Sequence, residues 1–345
     1  MNNPNNLHYD IPDDNDINNF LNNFMIEGPE SCSEIKLTEL DEKFSYKKDS
    51  KFSILNLNIR SLKHNFNELF IFLNRIKHKY TIIVLTETWL TNENKDIFKL
   101  EGYNSYNIIR EGRRGGGVTI YCDIAYTCEY LDDLSKCENS LECLFLQVKC
   151  KKWIKPVIIG GLYRPPGYEL FEEYLANISL CLNNEKLKSK NLILAGDFNL
   201  NLFNLSNTKC KEFIDYMFSY NLCPLITKAT RMYNNHAGEK CYTLLDHIWT
   251  NITEACSSCV IQINITDHFP VCALIDIETN HNKPKIISFR DFSVKNLNNF
   301  KENIQIFEWD SVTNLDTVNS NTESFEKNYT SCTIYIFLLK RSKLQ

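Results

Sequence analysis

What this 345-residue chain lacks narrows its class before anything it contains is considered. No apolar run reaches the eighteen or so residues that cross a bilayer, and the longest late one, Ile334-Tyr335-Ile336-Phe337-Leu338-Leu339, falls well short. The start, Met1-Asn2-Asn3-Pro4-Asn5-Asn6, has neither a basic end nor an apolar stretch, so no secretory signal and an intracellular location are expected. Cys256-Ser257-Ser258-Cys259 has no second pair at zinc-binding spacing, so no metal is expected there. Without a signal, the fourteen cysteines are expected to be reduced, most of them buried fillers. No internal repeat is evident.

A strong basic balance is missing as well, since the formal net charge is −5. The acidity is local. Residues 1–50 carry eleven acidic and four basic side chains, which leaves thirty-four basic against thirty-two acidic over the rest. The remainder is thus near neutral and can present a basic face, for which Arg60, Lys63, Arg110, Arg113, Arg114, Arg164 and Arg231 are candidates.

What is present suffices for one large core: 43% hydrophobic residues, with seventeen Tyr and twenty-one Phe. Residues 1–49, rich in Asn and Asp, bury too little apolar area to offset chain entropy and are expected to be a disordered acidic leader. A single domain is expected over 50–278, followed by a linker-like remnant over 279–345 with a short helix near 296–306. Inside the domain, alternation and short apolar runs predict strands at 52–58, 81–86, 118–122, 144–148, 157–163, 191–195, 244–250, 259–263 and 271–277. Helical spacing predicts helices at 67–79, 169–183 and 209–220. Many strands and few helices point to an α/β four-layer sandwich, two packed mixed sheets flanked by helices.

Polar residues punctuate the ends of these strands. Leu194-Ala195-Gly196-Asp197-Phe198-Asn199 and Ile265-Thr266-Asp267-His268-Phe269-Pro270 each place a carboxylate beside a second polar group after apolar residues. Asn58 in Leu57-Asn58-Ile59-Arg60, Glu87 in Leu85-Thr86-Glu87-Thr88-Trp89, Tyr163 in Tyr163-Arg164-Pro165-Pro166 and Asp246 in Leu245-Asp246-His247 join them. Singly, each has an ordinary structural reading: an Asx-turn, a surface histidine, a helix-start carboxylate, a core aromatic. Together they supply what phosphodiester hydrolysis needs: a cation-holding carboxylate, a group to orient or deprotonate water, and donors for the growing phosphorane charge.

In order and context these six motifs resemble the endonuclease/exonuclease/phosphatase superfamily, DNase I-like in fold, over about residues 51–277. The wording is similar to that of the apurinic-like endonuclease domains of non-LTR retrotransposons. Arg60 and Trp89 stand where abasic-site repair enzymes usually have an acidic residue and a lysine, and Gly115-Gly116-Gly117-Val118 and Ala229-Thr230-Arg231 fit the retrotransposon branch. The resemblance implies an Mg²⁺-dependent (Mn²⁺ as substitute) DNA endonuclease that nicks one strand, acting in the nucleus, with no membrane or obligate protein partner. It assigns Glu87, Asn58 and Asp267 to the metal, His268 oriented by Asp246 to the scissile phosphate, Asp197 to the attacking water, and Asn199 and Tyr163 to phosphate hydrogen bonds. The general base stays open. Arg60, Arg113, Arg114, Arg164 and Arg231 would meet DNA, the last from a polar loop between the 209–220 helix and the 244–250 strand.

Two rivals are weighed: a phosphomonoesterase or phospholipase of the same superfamily, and a catalytically silent retroelement fragment, since no reverse transcriptase follows. Tyr130-Leu131-Asp132-Asp133 matches a polymerase core motif but lacks the second flanking apolar strand. Gly115-Gly116-Gly117 precedes no helix and is read as a sharp turn before the 118–122 strand rather than a phosphate cradle.

Overall fold

A computed structural model of the chain describes residues 30–44, 51–167, 170–204, 206–235, 237–252, 256–279, 286–290, 298, 301–302 and 339–343. They divide between two compact units, Met1–Asn280 and His281–Gln345.

Two sheets dominate the first unit. One runs β1 (Glu30–Lys36), β15 (Cys256–Gln262), β16 (Val271–Asp276), β2 (Lys51–Asn58), β3 (Ile82–Thr86), β5 (Val118–Asp123), β4 (Tyr103–Ile108). The other runs β11 (Cys223–Pro224), β14 (Asp246–Thr250), β10 (Asn191–Asp197), β9 (Val157–Tyr163), β8 (Glu142–Lys149), β6 (Thr127–Tyr130), with β7 (Lys136–Cys137) also paired to β8. Parallel and antiparallel pairs mix in both. Among the described residues of this unit, four α-helices join them: α1 (Leu37–Lys43), α2 (Leu62–Arg75), α3 (Phe171–Leu182) and α4 (Thr208–Ser219). None of the described helices is long and apolar enough to cross a membrane.

Side-chain alternation explains the layers. Along β2, Phe52 and Ile54 enter the core between the sheets, where they join Val84, Ile120, Leu146, Ile159, Ala195 and Ile248. Leu55 and Leu57 face the other way, into a cluster with Leu40, Leu62, Leu69 and Phe72 from α1 and α2. On the outer side of the second sheet, Phe145, Leu194 and Trp249 pack with Phe171, Tyr174, Phe213 and Met217 from α3 and α4. Both faces of each sheet are covered, which is why the central strands read as nearly unbroken apolar runs. The expected four-layer α/β sandwich is the observed one.

Several boundaries differ from the sequence reading. Helix α2 starts at Leu62 rather than residue 67, because its first turn is anchored to a strand-end loop: Leu62 N–H donates to Thr88 O at 3.0 Å. The polar stretch placed as a loop around Arg231 is instead a hairpin of β12 (Arg231–Asn234) and β13 (Lys240–Thr243). Cysteines 122 and 128 form a disulfide, against the expectation of reduced thiols throughout. Cys256 and Cys259 lie on opposite faces of β15, in different core clusters, and so cannot share a metal.

The leader is corrected in its second half. Within 1–49, β1 pairs in parallel with β15, and α1 buries Leu40 completely and Phe44 to 3% exposure against the first sheet. Averaging over an Asn-rich stretch hid four well-spaced apolar residues, Cys32, Ile35, Leu40 and Phe44. The rest of the leader lies outside the described residues. In the second unit, β17 (Ile286–Arg290) and β18 (Leu339–Lys343) pair antiparallel, so the supposed linker contains a two-stranded ladder. Of the helix near 296–306, residues 298, 301 and 302 are helical and the rest lie outside the described residues.

Leu40→Ala should therefore lower unfolding free energy by about 2–5 kcal/mol, the range for a buried leucine. Urea denaturation measures it; no shift in midpoint would show that α1 is not part of the core.

Candidate active site

Strand register assembles the site. At the end of the second sheet, Tyr163 of β9 is level with Asp197 of β10, and Asp197 is level with Asp246 of β14, so three polar residues stand side by side. Gly196 permits this approach: a Cβ there would lie 1.7 Å from the Leu162 carbonyl oxygen. At the facing end of the first sheet, Asn58 closes β2 level with Thr86 of β3, and Glu87 follows directly. His268 arrives on the loop leading into β16, whose Thr266 hydroxyl donates to Asn58 O at 2.9 Å and accepts from His268 N–H at 3.0 Å.

The sheets are joined by polar bonds at this edge. Asn58 Nδ2 donates to Glu87 Oε1 at 3.1 Å and to Asp197 Oδ2 at 2.8 Å. The Tyr163 hydroxyl donates to the same Glu87 oxygen at 3.1 Å. His268 Nδ1 bonds Asp246 Oδ2 at 2.7 Å, both side chains being buried. The loops that carry these groups are strained: Arg60, Ser61, Glu87, Trp89 and Asn199 have positive φ, five of the seven such non-glycine residues among those described.

Burial and neighbouring charge perturb protonation. Asp197 is pushed up to about 7, by burial first and then by the Asp246 charge, against the pull of His268 and Asn58. For His268, burial works against the charged form, but Asp246, Asp197 and Asp267 together outweigh it and raise the imidazole to about 9. Asp267 is burdened by burial yet lowered overall by His268, Arg231 and Arg60. His247, next to Asp246 in sequence, is buried, stacked on Phe198 at 4.8 Å and pushed down to about 4 by desolvation, which makes it a core residue.

The sequence candidates therefore fall into groups. Asn58, Glu87, Tyr163, Asp197, Asp246 and His268 converge. Asp267 sits at the rim, gripped by Arg60 Nη1 at 3.1 Å and by Arg231 Nη2 at 2.8 Å. Arg231 is thus committed to an ion pair from a strand, not poised on a loop. Arg164 is 2% exposed and braces the Asp197 turn, donating to Phe198 O, Gly167 O and Asn199 O at 2.8–2.9 Å, so it faces no ligand. Asn199 donates its amide to Arg164 O and Asp197 Oδ2. Its N–H meets Asp197 Oδ1 at 2.9 Å, the Asx-turn of the ordinary structural reading. Arg113 and Arg114 remain exposed.

Some supporting residues were not singled out in the sequence. Thr230 Oγ1 accepts from the N–H groups of Leu245 and Asp246, both at 3.0 Å. Glu142, a fully buried carboxylate, takes the Gly117 N–H and pairs with Arg110, which the sequence offered for a basic face and which this ion pair turns inward instead. Thr230 was visible only as the neighbour of Arg231, and Glu142, inside an apolar strand, was the stronger overlooked signal.

The donor set suits a hard divalent cation. Carboxylate and amide oxygens dominate: the Glu87 and Asp197 carboxylates meet at the Asn58 amide, ligand oxygens of Asp197 and Asp246 lie within 4.8 Å of each other, and Asp246 Oδ1 is buried without a partner.

A family model described as endonuclease-reverse transcriptase matches residues 157–272, the stretch that holds Tyr163, Asp197, Asn199, Asp246, Asp267 and His268. Among solved structures, the endonuclease domain of TRAS1, a telomere-specific non-LTR retrotransposon, is similar at TM-score 0.54 and 16% identity, over 66% of this chain and all of that one. The fold is that of the endonuclease/exonuclease/phosphatase superfamily. Also similar are a mannosyl-6-phosphatase from Bacteroides thetaiotaomicron (16% identity, 65% and 99% coverage, TM-score 0.48) and TDP2 from C. elegans (14%, 66% and 76%, 0.48). No curated protein matches. Enzymes of the superfamily are hydrolases of phosphodiester or phosphomonoester bonds and generally depend on divalent metals, in keeping with the donor set here.

Both raised groups bind a proton more tightly when folded. His268 contributes stability in full below its unfolded value of 6.5 and loses it as pH rises through about 9; Asp197 behaves alike between 3.8 and about 7. In chelator, the denaturation midpoint should fall from pH 6.5 to 9, and His268→Gln should flatten that fall. A wild-type midpoint rising across this window contradicts the assignment.

Proposed function

We propose that the protein is a divalent-cation-dependent DNA endonuclease that nicks one strand and leaves a 3′ hydroxyl. The observation that carries this reading is the meeting of Glu87 and Asp197 across the two sheets, bridged by Asn58, beside the Asp246–His268 pair. Mg²⁺, replaceable by Mn²⁺, fits best because it favours few carboxylates and completes its shell with water and phosphate oxygens; held by Glu87 and Asn58, it would neutralise phosphate charge.

The remaining work falls to side chains. Asp197, poised near neutrality, orients the attacking water and takes its proton as oxygen bonds to phosphorus and the bond to the 3′ oxygen breaks, the departing 3′ oxyanion taking a proton from solvent water to become the hydroxyl. His268, held protonated by Asp246, donates to a non-bridging phosphate oxygen as charge grows there. Tyr163 and Asn199 act by fixing Glu87 and Asp197, since their donors are already engaged. Asp267 orients Arg60 and Arg231 instead of completing the cation's ligands. Arg60, Arg113 and Arg114 are the exposed cations that support DNA as substrate.

The protein should nick supercoiled plasmid with Mg²⁺ and stop in EDTA. Asp197→Ala and His268→Ala should each slow nicking by about 10²-fold or more with the fold intact. An inert preparation on DNA that instead releases phosphate from a phosphomonoester would replace this reading with its main rival.

A further inference from the structure

Glu87 is held on both carboxylate oxygens, but from different directions. Asn58 and Tyr163 share Oε1, whereas the indole Nε1 of Trp89 approaches Oε2 at 3.3 Å. A carboxylate gripped on one oxygen can still swing about it; a donor on the second oxygen fixes its plane. We propose that Trp89 is a positioning residue that sets the orientation of the Glu87 carboxylate toward its cation, an inference that rests on reading Glu87 as the cation-holding group.

The local backbone is arranged around this contact. An indole two residues along the chain can turn back onto Glu87 only if the main chain curls, and both residues have left-handed φ, 51° at Glu87 and 54° at Trp89. That curl is clamped from two sides. Ser61 and Leu62 donate to the carbonyls of Glu87 and Thr88 at 2.9 and 3.0 Å, while Trp89 and Thr88 donate to those of Gly116 and Gly117 at 2.9 and 3.3 Å. The glycine turn is fixed in its own right. A Cβ at Gly116 would fall 2.3 Å from the Arg110 guanidinium, and Gly117 N–H is taken by the buried Glu142 that pairs with Arg110. Arg114 covers one face of the indole, its Cζ 4.8 Å from the ring. Edge, face and backbone of Trp89 are thus all constrained at a half-buried position beside the proposed cation site.

Trp89→Phe tests positioning, because it keeps an aromatic ring under Arg114 while the N–H is lost along with the indole's second ring, and the melting temperature reports any loss of packing. Mn²⁺ binding measured by electron paramagnetic resonance should weaken about 10-fold in the variant, with the melting temperature unchanged. Wild-type tryptophan emission should respond to Mn²⁺, since the indole touches the binding carboxylate, and that response should vanish in Trp89→Phe and in Glu87→Gln. Unchanged Mn²⁺ affinity in Trp89→Phe, or an emission response that persists in it, would overturn the inference while leaving the proposed function standing. Failure of the wild type to bind Mn²⁺ would instead remove the cation reading itself, and this inference with it.

Discussion

One amide ties the two sheets together at the site. Asn58 Nδ2 donates both to Glu87, at the end of the first sheet, and to Asp197, at the end of the second, so a single buried side chain fixes the spacing of the two carboxylates. The side chain is 1% exposed, so its position is set by β2 rather than by solvent. Much of the surrounding structure serves to bring the two sheet ends within reach of this residue. The interdigitated core fixes the spacing of the sheets, and Gly196 removes the side chain that would keep β9 from β10.

Around that bridge, polar residues divide between those free to meet substrate and those that hold others in place. Arg164 illustrates the second kind: three main-chain carbonyls of the loops that flank the Asp197 turn share one buried guanidinium, which suits its planar fork. Asp267 is similar in effect, since its charge is spent on Arg60 and Arg231. The left-handed residues on the same loops fit this picture, because strained backbone persists only where surrounding bonds overdetermine it.

The layers and the converging residues were legible in the sequence because each depends on local pattern. Strand β9 was read with its observed limits from the run at 157–163, and Asp197 and His268 stood out because each follows an apolar run at a strand boundary. What was not legible depends on partners distant in sequence. Arg164 and Arg231 looked like DNA-facing cations because charge alone does not reveal a buried carbonyl cluster or a carboxylate thirty-six residues away. Strand β1 escaped because its apolar residues are sparse, and it gains its hydrogen bonds only from β15, far along the chain. Edge strand β4 was missed for a related reason: it is half-exposed and mostly polar, and only pairing with β5 defines it.

Cleavage of a labelled DNA duplex with analysis of the new ends tests the account most directly. It predicts cation-dependent scission of one strand to a 3′ hydroxyl and a 5′ phosphate. Intact DNA from a folded, Mg²⁺-saturated protein, or ends of the opposite chemistry, would contradict it.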